Sequence, residues 1–381
     1  MIYKFFLILI VIGSSACADW PMGRADSAGT GATAESLPDG LELLWEVENE
    51  GLGYDAGPII ADGMVFAADA DGEVIALRLD SGEQVWKVAF ETGFMASPAY
   101  QAGVVYVGDY DGTLRALDAK TGQENWKYAA ELEIDGSPNF FEKSVLFTSQ
   151  SGSLYSLKTA DGSLGWKYET GDQLQCGATL AGNRTFLGGC DGYLHIVDVQ
   201  TGKSVREPIP IDGPTGSTPS VVDLVEGETR EQLVLVPTYA GEIIAFRNSN
   251  YEEAWRFKDE SLSSEFKNSV AISEGMIVAT SRNKKVFALN ARTGELVWNQ
   301  TLRKRSDASP VIAGGQVVVA AADGRILLFD LKSGKEKWMF EVKGGFLGSP
   351  AVADGKVVVC SDRGTIYCLG AKQNITNEEV K

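Results

Sequence analysis

Histidine is almost missing from this chain. The single copy, His195, leaves no cluster that would hold zinc, and the five cysteines include neither an adjacent pair nor zinc-ligand spacing. No Gly-x-Ser-x-Gly stands in the setting of a hydrolase elbow. Beyond the N-terminus no apolar run is long enough to cross a bilayer. Cations are short as well: 34 Lys and Arg against 52 Asp and Glu give a formal charge of −18, which argues against non-specific nucleic-acid binding.

Glycine is plentiful, 43 of 381 residues, as many short strands and tight turns require. One unit organises the chain. Ala116 to Trp126 reads ALDAKTGQENW, and Ala76 to Trp86 (ALRLDSGEQVW) and Ala288 to Trp298 (ALNARTGELVW) repeat it. Leu157 to Trp166 and Phe329 to Trp338 are degraded copies. Each reads as a strand, a tight turn whose Gly takes a positive φ, and a second strand carrying the Trp. A Trp repeated at one place in the unit is expected to dock against the neighbouring unit. Ser-Pro or a relative opens each unit, a β-branched strand follows, and Asp-Gly marks the next turn at Asp71-Gly72, Asp111-Gly112, Asp191-Gly192 and Asp323-Gly324.

The last strands carry Trp45, Trp86, Trp126, Trp166, Val205 in the expected place, Trp255, Trp298 and Trp338. First strands begin near Pro58, Pro98, Pro138, Ala178, Pro219, Val270, Pro310 and Pro350. The two sets are equal in number and offset by one: the final unit stops at Leu369 without a Trp strand, and Leu43 to Val47 is a Trp strand without a unit. The spacing predicts an all-β, eight-bladed β-propeller of four-stranded antiparallel blades, monomeric, with the N-terminal strand around Trp45 completing the last blade. Closure of that kind leaves no long open sheet edge.

Residues 1–18 read as a signal peptide: Lys4, the apolar run Phe5 to Ile12, then small residues from Ser14 to Ala18. Ala16-x-Ala18 suits cleavage before Asp19. Ser14-Ser15-Ala16-Cys17 alternatively suits a lipid anchor at Cys17, without the usual Leu three residues earlier. Either way the mature chain is expected to be exported. Residues 19–40 read as an irregular segment, 41–370 as the propeller and 371–381 as a flexible tail.

The Gly-His and Trp-Asp signature of WD40 repeats is absent. Over residues 41–370 the Trp motif instead resembles the tryptophan-docking repeat of quinoprotein dehydrogenases and of the BamB-type outer-membrane assembly lipoproteins. That resemblance implies a PQQ-like propeller with one of two functions. One is a non-catalytic scaffold binding protein partners in the cell envelope, in the periplasm or at the outer membrane. The other is a dehydrogenase using the quinone PQQ and a carboxylate-bound calcium ion. Dehydrogenases of this family are much longer and set a vicinal Cys-Cys pair against the quinone. This chain has no such pair and no calcium ligands recognisable by local motif, so a scaffold without cofactor is expected. His195, in the strand YLHIVD where another blade has Arg115, reads as a strand-surface residue rather than a base.

Cys176 and Cys190 fall near the same ends of adjacent antiparallel strands, and Cys360 and Cys368 flank a turn around Gly364. In an exported chain such an even set is expected to form disulfides. The insertion Asp223 to Gln232 carries Asp223, Glu226 and Glu228 without the regular oxygen spacing of a calcium loop, and reads as a solvated hairpin loop.

Because strands in a blade alternate direction, the turns after second strands and the connections between blades share one face. In blades 6 to 8 these hold Lys267, Arg282, Lys284, Lys285, Arg303, Lys304, Arg305, Arg325 and Arg363. In blades 1 to 4 they hold Asp55, Asp69, Asp71, Asp109, Asp111, Glu133, Asp135 and Asp172. A face split in this way is expected to dock a partner of mixed charge, the basic sector taking its anionic part.

Overall fold

A three-residue strand such as Ile59–Ala61 has too few ladder bonds to stand alone. It is built into a four-stranded antiparallel sheet with Met64–Ala68, Glu73–Arg78 and Gln84–Ala89. Eight such blades form the ring, and the described residues contain no helix. The computed structural model describes residues 19–49, 51–227, 229–259 and 265–371. The signal-peptide reading of 1–18, Cys17 and nearly all of the 371–381 tail therefore lie outside the described residues. Glu42–Glu48 pairs antiparallel with Thr365–Gly370, Trp45 standing opposite Cys368, so the N-terminal strand completes blade 8 as its spacing predicts.

The tryptophans explain the repeat. The Trp86 indole N–H donates to the Ala119 carbonyl of blade 2 at 2.9 Å, and its ring lies over the turn glycine Gly122. Trp45 makes the same contacts with Leu79 and Gly82, Trp126 with Thr159 and Gly162, and Trp166 with Val199 and Gly202. Trp255 docks likewise on Ala291 and Gly294, and Trp298 on Leu331 and Gly334. Glycine is required there twice over, by its positive φ and by the ring against its α-carbon.

Blade 4 departs from the pattern. Its last strand is broken into Lys203–Ser204 and Ile209–Pro210 around the exposed Val205. The matching turn of blade 5 has no glycine either: Tyr251 takes its place at φ 63°, with the Arg184 and Arg206 guanidinium groups over its ring.

Two further positions recur on the inter-blade connections. Tyr54, Phe94, Ile134, Leu174, Phe266 and Phe346 are fully buried wedges between blades. The hydroxyls of the Ser-Pro motif face the preceding blade. Ser97 Oγ accepts from the Gly57 N–H (3.1 Å), Ser309 Oγ from Ser269 (3.2 Å), Ser349 Oγ from Ser309 (3.1 Å) and Thr218 Oγ1 from Gly177 (2.9 Å).

The stretch expected to be irregular has only one short strand, Ala32–Thr33, yet it is held along its whole length. Trp20 exchanges backbone bonds with Ile60, the Pro21 carbonyl accepts from Tyr100, and the Ser27 carbonyl accepts from Leu180 and from the Asn139 side chain. The carbonyls of Ala28, Thr30 and Gly31 accept from Val221, Ile272 and Ile312. Glu35 then reaches the Gly355 amide of blade 8. The segment thus runs once around the central channel and supplies an acceptor to every blade. It lies toward the lower hairpin turns, where Asp19 accepts from the Asp62 amide. Arg24 crosses the channel to the Val270 and Pro310 carbonyls (2.7 and 3.2 Å). Burial pushes its pKa down to about 10 against the pull of Asp26, so it remains a cation at neutral pH.

The docking contact can be separated from backbone strain. Gly122 and Gly103 have similar φ values, 73° and 84°, but an added Cβ would stand 2.8 Å from the Trp86 ring at Gly122 and meet nothing within 4 Å at Gly103. Gly122→Ala is expected to cost about 1–3 kcal/mol more than Gly103→Ala, measured by denaturant unfolding. Equal losses would mean that the ring contact contributes nothing.

Candidate functional site

The N-terminal segment lines the lower end of the channel, and among the described residues the cavity above it is bordered by the inter-blade connections. The cavity holds about 190 Å³ and is floored by Met22, Gly23, Arg24, Asp26 and Gly29. Its mouth is a ring of one residue per blade, each at the same place in the repeat, four residues before the start of the first strand. Blades 1 to 4 supply Asp55, Met95, Asp135 and Gln175. Blades 5 to 8 supply Gly216, Lys267, Asp307 and Leu347. The next residue inward is small in each blade that carries a side-chain acid (Ala56, Gly136, Ala308), and no aromatic ring lines the cavity.

The ring acids differ in their partners. Asp307 bonds Arg305 (2.6 Å) and lies 3.7 Å from Arg282. Asp55 accepts from the Tyr110 hydroxyl (3.1 Å) and Asp135 from the Gln150 side chain (2.6 Å), both neutral donors. The other Asp135 oxygen, Oδ1, is buried without a hydrogen bond. Burial raises the Asp135 carboxyl, with Gln150 and Lys267 opposing. The position before the first-strand start was the signal that would have singled out this ring in the sequence.

The residues proposed for the basic sector do not form one uniform patch. Lys267 belongs to the funnel mouth. Arg303 is bonded to Asp323 and Glu341 (2.8 and 2.9 Å), Arg325 to Asp323 (3.1 Å) and Arg282 to Glu265 (3.3 Å). Burial works to raise the Asp323 carboxyl, but the bonds and charges of Arg303 and Arg325 outweigh it and hold it below its ordinary value. Lys285 begins the strand Lys285–Asn290, half-buried. Lys284, Lys304 and Arg363 are exposed, line one shallow groove together, and have no ion pair among the described residues.

On the acidic side Asp69 and Asp109 are not surface charges at all. They are buried, and each folds its own turn: Asp69 Oδ1 accepts from the amides of Asp71, Gly72 and Glu73, and Asp109 Oδ1 from Asp111 and Thr113. Burial raises both carboxyls.

His195 is buried between blades 3 and 4, Nε2 against Asp191 (2.8 Å) and Nδ1 against the Tyr168 hydroxyl (3.1 Å). That corrects its reading as a strand-surface residue: it packs between blades where Arg115 in blade 2 covers Phe90. In blade 5 the insertion prolongs both strands, Ser220–Glu226 and Thr229–Pro237, and Asp223 accepts from Gln232; Glu228 lies outside the described residues. No three His, Cys, Asp or Glu side chains are grouped to hold a metal ion among the described residues.

Cys176, Cys190, Cys360 and Cys368 stand as free thiols in the structure. Cys176 donates to the Gly188 carbonyl (3.1 Å), and Cys360 faces Ile366 while Cys368 faces Val358, two residues out of register with each other. Burial pushes the Cys176 and Cys368 thiols up to about 12. Native protein is therefore expected to expose only Cys190 to an alkylating reagent, and unfolding without reductant to release all four. Thiols of Cys176 and Cys190 that appear only after reduction would establish the bridge expected from the sequence instead.

Comparison with known proteins places this architecture. The family profile described as outer membrane protein assembly factor BamB matches residues 36–236 and 239–345. No curated protein matches the chain significantly in sequence. Among solved structures, quinohemoprotein alcohol dehydrogenase from Comamonas testosteroni superposes with a TM-score of 0.81 at 16% identity, over 93% of this chain and 80% of that one. BamB from Moraxella catarrhalis gives 0.72 at 19% identity, over 87% of this chain and 100% of that one. A europium-containing methanol dehydrogenase gives 0.78 at 14%, over 93% and 98%. At such identities these likenesses show the fold.

Proposed function

The chain belongs to the family of outer membrane protein assembly factor BamB, and from that premise we propose that it is a non-catalytic scaffold of the cell envelope, exported and docking a protein partner on the face of its inter-blade connections. One observation carries the reading: that face is chemically divided and partly apolar. Lys284, Lys304 and Arg363 on blades 6 to 8 have no ion pair among the described residues. On the connections leading into blades 1, 2 and 3, Leu52, Met95 and Leu132 are 73, 42 and 47% exposed, and Leu347 beside the basic sector is 37% exposed. Exposed apolar side chains collected on one polar-rimmed face are typical of a protein-binding surface.

The funnel lining supports the scaffold over the dehydrogenase. PQQ is a planar tricarboxylate, and a site for it needs cations and flat apolar walls. Here the mouth has three carboxylates against Lys267, and no ring faces the cavity. The residues do not fit that cofactor.

The test follows those three cations. Changing Lys284, Lys304 and Arg363 together to Glu is expected to slow partner capture from envelope extract at least tenfold in low salt, with little change in melting temperature, because exposed rim charges act mainly on association. Reversing Arg303, Lys304 and Arg305 instead breaks ion pairs with Asp323, Glu341 and Asp307 and is expected to lower the melting temperature as well. Unaltered capture by the first variant, or dye-linked alcohol oxidation on adding PQQ and calcium, would overturn the scaffold reading.

A further inference from the structure

The turn after the second strand calls for a left-handed residue in every blade. Gly72, Gly112, Gly152, Gly192, Gly241, Gly324 and Gly364 supply it, with φ between 78° and 105°. At Gly72, Gly112, Gly152, Gly324 and Gly364 an added Cβ would also stand 2.3–2.6 Å from a carbonyl of the following connection. Glycine is thus favoured twice, by backbone and by space. Blade 6 departs from this: Lys284 holds the position at φ 67°, in a turn closed by the usual bonds, its N–H to the Ser281 carbonyl and its own carbonyl to the Leu302 N–H. A left-handed lysine is unfavourable for the fold, and outliers of this kind persist where something besides folding requires the side chain. Lys284 is exposed and lines one shallow groove with Lys304 and Arg363. These three cations have no ion pair among the described residues, although their neighbours Arg282, Arg303, Arg305 and Arg325 each have one. Ala322, Gly344 and Gly345 line the same groove and leave its backbone bare. Leu347, on the same connection as the two glycines, is 37% exposed.

We propose that this groove takes an extended acidic segment of the docked partner, a run of aspartate or glutamate followed by an apolar residue, and that Lys284 decides its affinity. The proposal rests on the scaffold reading and names the chemistry of the contact. Carboxylates entering between blades 6 and 8 meet Lys284, Lys304 and Arg363 and form charge-assisted bonds with them. The main chain of the segment can lie close over Gly344 and Gly345, where no side chain intervenes. Its N–H groups can be received by Asp362, which lines the groove and already accepts from the Gly345 amide (2.8 Å). The apolar residue covers Leu347. A free phosphate has no main-chain donor for Asp362 and nothing to cover Leu347. An anionic bilayer laid on this face would press against Asp71, Asp111 and Asp172, which are exposed on the same side. A narrow strand avoids them.

The experiment uses the intact protein in low salt and two fluorescein-labelled probes, Glu-Asp-Glu-Asp-Leu-amide and Gln-Asn-Gln-Asn-Leu-amide, titrated by fluorescence anisotropy. The acidic peptide is expected to bind saturably, and the uncharged one roughly tenfold more weakly. Lys284→Gly restores the residue that the other blades carry. It should weaken the acidic peptide about fivefold, while its melting temperature stays level or rises. Lys127→Gln removes an exposed positive charge from the last strand of blade 2 and should leave binding unchanged. Four results would overturn the proposal: no saturable binding, equal binding of both peptides, undiminished binding by Lys284→Gly, or a fall in that variant's melting temperature. Displacement of the probe by orthophosphate or phosphatidylglycerol vesicles at lower concentration than by unlabelled acidic peptide would overturn it too. The titration needs no native partner. Absent binding overturns the groove even where the triple charge reversal slows partner capture, and binding that depends on Lys284 supports the groove even where capture proves insensitive to that reversal.

Discussion

Six of the eight joints in this ring rest on one contact, an indole laid over a glycine turn of the next blade with its N–H given to that blade's carbonyl. The contact joins a large apolar burial to a directional bond, so it fixes both the distance and the rotation between neighbours. It recurs at six of the eight joints, the closing one among them, where Trp45 docks on Leu79 and Gly82; at the joint of blades 7 and 8 Trp338 lies instead near Gly40 and stacks on Phe340. Where the tryptophan is lost at Val205 the glycine is lost too, and Tyr251 between two arginines takes over the joint.

A ring built this way has an inner wall of eight short strands whose channel-facing amides lack partners. The N-terminal segment answers six of them with its own carbonyls and reaches blade 3 through the Asn139 side chain and blade 8 through the Glu35 carboxylate, and so lines the lower end. The mouth lies on the upper face. There the fold demands specific residues at the buried wedge and at the hydroxyl of the Ser-Pro motif, but none at the position between them, which points into the mouth. Chemistry can vary at that position without disturbing the ring, and it does: acid, thioether, amide, glycine and amine follow one another around the funnel.

Blade number, the closing strand and the turn glycines were legible because each repeats, and repetition turns a weak local signal into a count. The course of residues 19–38 was not, because it is held by backbone carbonyls, which demand no side-chain type and leave no period in the sequence. Charge was half legible. Lys284, Lys304 and Arg363 stand where the repeat frame puts them, but Arg303 and Arg305 find Asp323, Glu341 and Asp307 through a connection whose course the frame leaves open. Asp69 and Asp109 looked like surface acids because they sit two residues before Asp-Gly turns, yet that spacing lets the carboxylate cap the turn from inside.

The claim that the N-terminal segment lines the channel can be tested directly by native-state hydrogen exchange on the full chain and on a chain beginning at residue 39, which keeps the closing strand. The amides of Ile60, Tyr100, Leu180, Val221, Ile272 and Ile312 donate to the N-terminal segment. In the full chain they should exchange as slowly as the blade interiors, and in the shortened chain by orders of magnitude faster, while strands such as Val104–Gly108 stay protected. Rapid exchange of those six amides in the full chain would mean that the segment is not seated.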